Sequence, residues 1–226
     1  MKLSRLSALE RTIGYTFEDK LLFDLALTHR SYKGANNERL EYLGDAILSF
    51  VIAEYLFKRF PEAKEGQMSR LRSSLVKGVT LAEIGKQFKL GDYLKLGGGE
   101  LKSGGFRRES IIADAVEAII GAIFLDSGHD ACKEVILSWY EARLLALTLE
   151  NTEKDAKTKL QEYLQSRKEQ LPKYEVESVV GEAHDQTFSV SCSIESLKLT
   201  TQAGGTNRRV AEQKAAQKAL NKIGVK

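Results

Sequence analysis

The feature that most constrains the fold is a helix-forming segment that carries three carboxylates among apolar residues. Residues 37–48 read NERLEYLGDAIL and contain Glu38, Glu41 and Asp45. At about 100° per residue these acids lie within roughly 60° of one another. The opposite side carries Leu40, Leu43, Ile47, Phe50 and Val51. Like charges repel, and burying an unpaired ion costs several kcal/mol, so we expect a cation beside them, most simply a divalent metal.

A second apolar segment repeats this pattern. Residues 111–125 read IIADAVEAIIGAIFL, in which Asp114 and Glu117 are three apart on one helical face. Two such helices facing each other would form a pocket lined by oxygen atoms, which suits Mg²⁺ or Mn²⁺ better than zinc. The alternative is that these acids are solvated or paired with arginines. The pattern leaves both interpretations open, and the candidate arginines are Arg39, Arg107 and Arg108.

Composition limits the class of protein. The chain has 226 residues, of which 42 % are hydrophobic, enough for one large or two modest domains with real cores. No uncharged apolar run approaches the roughly 20 residues of a membrane span, and the N-terminal segment lacks the apolar core of a signal peptide. Cys132 and Cys192 are far apart and lack zinc-ligand spacing. We therefore expect a reduced cytoplasmic protein without a membrane segment.

The small positive charge is unevenly distributed. Residues 1–150 contain 21 basic and 21 acidic side chains, whereas residues 151–226 contain 13 basic and 10 acidic ones. A surplus of this size does not establish nucleic-acid binding. Nucleic-acid binding depends on where these charges lie on the surface.

The hydrophobic spacing changes once along the chain. Apolar residues recur every three or four positions through most of residues 3–147, which predicts an all-α N-terminal domain over 1–147. Residues 148–155 are polar and aperiodic and are interpreted as a linker. Residues 156–226 predict a small α+β domain in the order α-β-β-β-α. The predicted helical segments are 21–27, 38–60, 68–88, 109–125, 129–149, 156–166 and 208–222, and the predicted strands are 173–180, 188–194 and 197–202.

Several polar segments are candidate phosphate contacts. The glycine-rich residues 97–105 lack the Gly-Lys-Ser/Thr ending of a P-loop and are better interpreted as a mobile loop. Arg107 and Arg108, which follow, are equally compatible with a phosphodiester contact and with ordinary surface charge. In the C-terminal domain, a helix start with two guanidinium groups is suited to phosphate. Together with the first helix and the 181–186 loop, it offers three contact regions for a long polyanion; the residues concerned are Gln161, Glu162, His184, Arg208 and Arg209.

With these residues in view, the chain resembles bacterial ribonuclease III along its whole length. The segment NERLEYLGDAIL matches that family's signature closely, and the tail is similar to its double-stranded RNA-binding domain. The supporting blocks are LTHRSY, EGQMSRLRSSLV, GGFRRESIIADAVEAIIGAIFLD, LQEYLQ, GEAHDQTF and NRRVAEQKAAQKAL. The resemblance implies an all-α endonuclease domain followed by the α+β RNA-binding domain.

The resemblance also implies roles for individual residues. The Mg²⁺ ligands would be Glu41, Asp45, Asp114 and Glu117, with Mn²⁺ able to substitute. Asp45 and Glu117 would also be catalytic. Glu38 and Glu65 would be supporting acids, and Tyr42 would pack across a dimer interface.

In the RNA-binding domain, the resemblance places Gln161, Glu162 and His184 at minor grooves and Arg208 and Arg209 at the phosphates between them. Two positions depart from the pattern. Ala156 stands where proline is common, and Glu212 occupies the third position of the basic cluster. The second departure leaves only the two arginines to meet phosphates there.

The implied activity is Mg²⁺-dependent hydrolysis of double-stranded RNA by a cytoplasmic homodimer. The expected products carry 5′-phosphate and 3′-hydroxyl ends with short 3′ overhangs. The expected substrates are ribosomal RNA precursors and some messenger RNAs, and no small-molecule cofactor or membrane partner is expected. A regulator that binds duplex RNA without cutting it is the alternative. The four acids argue against that alternative, because a binding protein gains nothing from a costly acidic pocket.

Overall fold

A computed structural model of the protein describes residues 2–149, 156–181 and 186–225. The chain divides into two compact units between residues 152 and 153. The first unit is helical, and the second contains a three-stranded sheet with two helices, as the sequence predicts. Within the described ranges, every helix is too short or too polar to cross a membrane.

The first unit consists of helices joined by short connections. The third helix ends just before Pro61, which cannot continue a helix because its ring clashes with the preceding turn. The second helix begins where the Asp19 carboxylate accepts hydrogen bonds from two backbone N–H groups. The helices are α1 (Lys2–Ile13), α2 (Lys20–Ala26), α3 (Glu38–Arg59), α4 (Glu65–Val76), α5 (Gly78–Gln87), α6 (Gly98–Lys102) and α7 (Glu109–Leu145).

Two helix predictions need correction. The segment predicted as one helix over 68–88 is two helices, because Lys77 adopts an extended conformation with ψ 148°. The helix predicted over 129–149 ends at Leu145 and continues directly from the helix before it, with a kink at Gly128. That glycine has φ 80°, a left-handed conformation that side chains with a Cβ rarely adopt. A third finding concerns the side of α3 opposite the acids: Leu40 and Val51 there are buried, but Phe50 is 58 % exposed.

The core of the first unit forms where α3 packs against α7. Leu48, Val51 and Ile52 of α3 and Val116 and Ile119 of α7 are fully buried. Contacts of this kind exclude apolar surface from water and provide most of the stability of the unit. The two helix backbones also touch, and this close approach determines how the acidic residues are arranged.

The second unit is an antiparallel sheet covered on one side by two helices. β1 (Lys173–Val180) pairs with β2 (Thr187–Ile194), which pairs with β3 (Leu199–Gly205). The third strand begins two residues later than predicted, because a short 3₁₀ turn and the left-handed Lys198 precede it. α8 (Ala156–Ser166) and α9 (Arg208–Lys222) complete the order α-β-β-β-α.

Small side chains allow α9 to lie close to the sheet. Ala211, Ala215 and Ala219 are fully buried, and the Thr201 hydroxyl donates a hydrogen bond to the Ala215 carbonyl oxygen at 2.7 Å. The N-terminus of α9 is capped by the Asn207 side chain, which accepts from the backbone N–H of residue 210. The start of α9 is therefore fixed relative to α8 and the sheet.

Candidate functional site

Two glycines bring the acidic faces of α3 and α7 together. A Cβ atom on Gly44 would lie 1.7 Å from the Glu117 carbonyl oxygen, and one on Gly121 would lie 2.3 Å from the Leu40 carbonyl oxygen. Both distances are far below van der Waals contact, so only glycine permits this approach. The crossing places Glu41 of α3 beside Asp114 and Glu117 of α7.

Glu41, Asp114 and Glu117 form a carboxylate cluster. One oxygen from each of the three lies within 4.8 Å of the other two, and all three side chains are partly buried. The acidic residues of the two apolar segments therefore lie in one cluster, which is one of the two arrangements that the sequence pattern left open. Arg108 is one of the arginines considered as ion-pair partners of these acids. Its Nη1 lies 2.9 Å from Oε1 of Glu100, an acid outside the cluster.

The cluster is electrostatically unfavourable without a cation. Burial, followed by the charges of Asp45, Asp114 and Glu41, raises the pKa of Glu117 to about 8. Burial, with the nearby Asp114 charge second, also raises the pKa of Glu41. Desolvation raises the pKa of Asp114 as well. The pocket therefore favours either protonation or a bound positive ion.

The donor set fits a hard divalent cation. Carboxylate oxygens with room for water are the ligands that Mg²⁺ and Mn²⁺ prefer, whereas zinc favours nitrogen and sulfur. Glu41, Asp114 and Glu117 would hold such an ion directly. Each would thereby regain, through the metal, the stabilisation that it loses by burial beside like charges.

The other predicted acids lie outside this three-residue group. Asp45 is exposed, yet its charge is the largest electrostatic contribution to the raised pKa of Glu117. Glu38 contacts Arg30 at 3.5 Å. Glu65 begins α4 and accepts a hydrogen bond from the Ser69 hydroxyl at 2.7 Å.

Two basic residues near the cluster were missed by sequence reasoning. His29 and Arg30 both act to lower the pKa of Asp114, opposing the larger effect of burial. His29 is held by its own backbone N–H, which donates to the Lys95 carbonyl oxygen, and by a 2.8 Å contact between its Nδ1 and the Ser31 hydroxyl. His29 and Arg30 lie in the loop between α2 and α3, where no periodicity indicates which way a side chain points.

The predicted RNA-contact residues of the second unit lie partly in one groove. Gln161 of α8 and Arg208 and Arg209 of α9 line a surface cavity of about 540 Å³, and all three side chains are exposed. Glu162 is exposed on α8. His184, the other predicted contact, lies outside the described residues.

Comparisons with protein families match both units. Residues 19–144 match a family described as ribonuclease-III-like, and residues 156–223 match the double-stranded RNA binding motif. The first match contains all the acids of the carboxylate cluster, and the second contains the groove between α8 and α9.

Curated relatives match nearly the whole chain. A protein named Ribonuclease 3 from Hahella chejuensis is 62 % identical over 222 residues, which is 98 % of each chain. A protein of the same name from a Marinomonas species is 63 % identical over 215 residues, or 95 % of each chain. Both alignments therefore span the two units together.

Solved structures match the first unit. A crystal structure of the ribonuclease III nuclease domain from Campylobacter jejuni has a TM-score of 0.60 and 43 % identity, covering 63 % of this chain and 97 % of that one. A second structure of that domain has a TM-score of 0.59 and 45 % identity, with 60 % and 95 % coverage, and its description concerns flexibility in a region involved in dimer formation. Together with the near-complete curated matches, these findings show that the chain belongs to the ribonuclease III family.

Proposed function

We propose that this member of the ribonuclease III family hydrolyses phosphodiester bonds in double-stranded RNA with Mg²⁺ as its metal ion. The observation that carries the proposal is the carboxylate cluster, in which three acids from two helices converge within 4.8 Å. We infer that Asp45 joins Glu41, Asp114 and Glu117 as a ligand, since its charge acts directly on Glu117. The adjacent RNA-binding motif supplies the substrate class.

The chemistry follows from what the acids can bind. Held by these carboxylates, Mg²⁺, or Mn²⁺ in its place, would supply an activated water and offset the charge on the leaving oxygen. Asp45 and Glu117 are proposed as the catalytic acids, which orient the attacking water. Glu38, whose charge acts on Glu41, and Glu65 are proposed as supporting acids. An in-line attack on phosphorus with departure of the 3′ oxygen gives 5′-phosphate and 3′-hydroxyl ends.

The activity test uses long double-stranded RNA with Mg²⁺. We expect cleavage to short duplexes with 5′-phosphate ends and no cleavage in EDTA. A single-stranded RNA of the same sequence and the corresponding DNA duplex serve as controls, and both are expected to remain intact. RNA that is bound but uncut in Mg²⁺ and in Mn²⁺ would instead support the regulator that only binds duplexes.

The second unit is proposed to recognise the shape of the duplex. Gln161, Glu162 and His184 would meet minor grooves, where 2′-hydroxyl groups distinguish RNA from DNA. Arg208 and Arg209, at the N-terminus of α9, would meet the intervening phosphates. The exposure of both arginines beside Gln161 supports this arrangement.

Replacing both Arg208 and Arg209 with alanine is expected to weaken duplex binding and to reduce its salt dependence. Each phosphate contact contributes about 0.9 to the slope of log affinity against log salt in duplex DNA, so we expect a slope smaller by roughly two. Titrations at several KCl concentrations in EDTA measure this slope. An unchanged slope would exclude these arginines from the interface.

We propose a homodimer with twofold symmetry, because one pocket per chain cuts only one strand. A stripe of exposed aromatic side chains on α3 supports this proposal: Tyr42 is 81 %, Phe50 58 % and Phe57 70 % exposed. These residues lie within about 80° of one another around the helix. Such a patch is unusual on a monomer and fits an interface. One of the solved nuclease domains from Campylobacter jejuni likewise has a region involved in dimer formation. Two pockets offset along the duplex would leave short 3′ overhangs.

The Tyr42→Arg variant is expected to be mainly monomeric, since it places a charge within the aromatic stripe of the proposed interface. Sedimentation velocity of the parent and the variant measures the change in mass. Leu21→Arg is the matched control, because Leu21 on α2 is 80 % exposed and lies off the aromatic stripe. A variant that remains a dimer would remove Tyr42 from the interface.

The remaining proposals concern organisation and cellular role. We propose residues 1–147 as the nuclease domain, 148–155 as the linker and 156–226 as the RNA-binding domain. Ribosomal RNA precursors and some messenger RNAs are the proposed substrates. We propose the cytoplasm as the compartment, where those transcripts are made, and the two buried free cysteines are compatible with its reducing conditions.

A further inference from the structure

Glu212 is a buried carboxylate that bridges two cations from different helices. Its side chain on α9 is 10 % exposed. Its Oε2 accepts a hydrogen bond from Lys157 Nζ of α8 at 2.6 Å, and its Oε1 accepts from Arg208 Nε at 2.8 Å. Burial acts to raise the pKa of Glu212, but the hydrogen bonds from Lys157 and Arg208 and the charges of these two residues outweigh it, so the pKa is lowered. The carboxylate is therefore charged at neutral pH and holds both side chains in place.

The bridge preserves the phosphate-binding capacity of both cations. Arg208 uses Nε for Glu212, so this bond leaves its two terminal NH₂ groups for an external acceptor, and its side chain is 63 % exposed. Lys157 uses one of three ammonium donors for Glu212, and its side chain is 33 % exposed. Charge-assisted bonds from such fixed donors are stronger than bonds from donors that must first be ordered.

Lys157 is held by more than the carboxylate. Its backbone N–H donates to Oε1 of Gln213 at 3.1 Å, and its ammonium lies 4.4 Å from the centre of the Tyr174 ring. The same lysine lines the 540 Å³ groove with Gln161, Arg208 and Arg209. The groove thus contains three cations, of which two are held by one buried acid.

We propose that Lys157 is a third phosphate-binding cation of the RNA-binding surface and that Glu212 is the positioning residue that fixes Lys157 and Arg208 there. The inference rests on the proposed function, because it concerns the surface that meets the duplex. It changes the expectation for Glu212. If charge alone mattered, this acid would weaken RNA binding; as a positioning residue it strengthens it.

Glu212→Gln distinguishes these two accounts by the direction of its effect. The substitution removes one negative charge while preserving side-chain size. We expect duplex affinity to fall about fivefold, because Lys157 and Arg208 must then be ordered at the expense of binding energy. An account based on net charge predicts tighter binding. Tighter or unchanged binding by a folded Glu212→Gln protein would overturn the positioning role.

Lys157→Gln tests the third cation. We expect about threefold weaker binding and a salt slope smaller by roughly 0.9, the value for one phosphate contact. Lys157→Arg should restore the slope. Combining Lys157→Gln with Glu212→Gln should cost less than the sum of the two single effects, because both act through one contact. A slope unchanged in Lys157→Gln would overturn the inference even if Glu212→Gln fails to fold.

The measurement uses the full chain in EDTA with a labelled duplex of about 20 base pairs, longer than the roughly 16 that one such domain spans. Lys214→Gln is the matched control, because Lys214 is exposed on α9 and lies about 200° around the helix from Glu212. Thermal unfolding monitored by circular dichroism verifies that each variant is folded. A parent that does not bind the duplex would contradict the proposed function itself. If the parent binds the duplex, and binding depends on Arg208 and Arg209 but is unchanged in Lys157→Gln, only this inference would be contradicted.

Discussion

Replacing Glu117 with glutamine is expected to lower the rate of RNA cleavage about a thousandfold or more while leaving duplex binding intact. Metal-ion stabilisation of a transition state is worth several kcal/mol, and each 1.36 kcal/mol is a factor of ten in rate. Glu117 is one of the three clustered carboxylates, and burial, followed by the charges of Asp45, Asp114 and Glu41, raises its pKa to about 8. Single-turnover cleavage in Mg²⁺ and binding in EDTA measure the two properties separately.

The matched control is Glu134→Gln, which removes an exposed acid from the same helix beyond the kink at Gly128. This variant should cleave at the parent rate. Equal rates for parent, Glu117→Gln and Glu134→Gln would mean that the cluster is not the catalytic centre. Loss of binding together with cleavage in Glu117→Gln would indicate a structural defect.

The same substitution has a predicted effect on stability without metal. Glu117 has a pKa near 8 in the folded protein, against about 4.5 for an ordinary glutamate. Between these values the folded protein binds more protons than the unfolded chain, so stability falls as pH rises through this window. Glu117→Gln should reduce this fall, and Mg²⁺ should raise the unfolding temperature of the parent more at pH 8 than at pH 5. These unfolding measurements test the electrostatic argument independently of cleavage.

The Gly44→Ala variant is expected to lose about 3 kcal/mol of unfolding free energy, which corresponds to a fall of roughly 10 °C in melting temperature for a protein of this size. The added methyl group would lie 1.7 Å from the Glu117 carbonyl oxygen, an atom of the backbone that cannot rotate away. α3 and α7 must therefore move apart, which would also separate Glu41 from Asp114. We expect lower cleavage activity and weaker Mg²⁺ stabilisation.

Gly99→Ala is the control for Gly44→Ala. A Cβ at Gly99 in α6 has no neighbouring atom within 4 Å, and alanine favours helix over glycine. This protein should be at least as stable as the parent, with unchanged cleavage. A Gly44→Ala protein with the parent's melting temperature would show that the helices do not touch as described.

Much of the architecture could be predicted from sequence because its signals are local. Asp114 and Glu117 interrupt a helical apolar pattern three residues apart, so their shared face follows from spacing alone. In the first unit apolar residues recur every three or four positions. In the strands of the second unit they recur every two positions, and this change marks the boundary. Repetition of the acidic pattern in two segments left open whether the two acidic faces meet, and the close approach of the helices at Gly44 and Gly121 brings them together.

Other features depend on contacts between distant residues, which spacing does not encode. Helical spacing placed Phe50 on the apolar side of α3. Burial depends on what covers that side, and within the described chain Phe50 remains 58 % exposed. In the sequence Glu212 interrupts a basic cluster. Its partner Lys157 lies 55 positions earlier, so the sequence pattern did not reveal their contact. The charges of His29 and Arg30 act on Asp114 from a loop, in which side-chain directions have no periodicity.

The central claim is that the carboxylate cluster binds the metal ion used to cut RNA. Its most direct test is a crystal structure of the protein grown with Mn²⁺, using anomalous scattering to locate the metal. The account predicts an anomalous peak among Glu41, Asp114 and Glu117, with oxygen ligands at about 2.1–2.2 Å, near the distances of octahedral Mg²⁺. A peak elsewhere, or an ion-free cluster in crystals of protein that cleaves RNA in the same Mn²⁺ concentration, would contradict it.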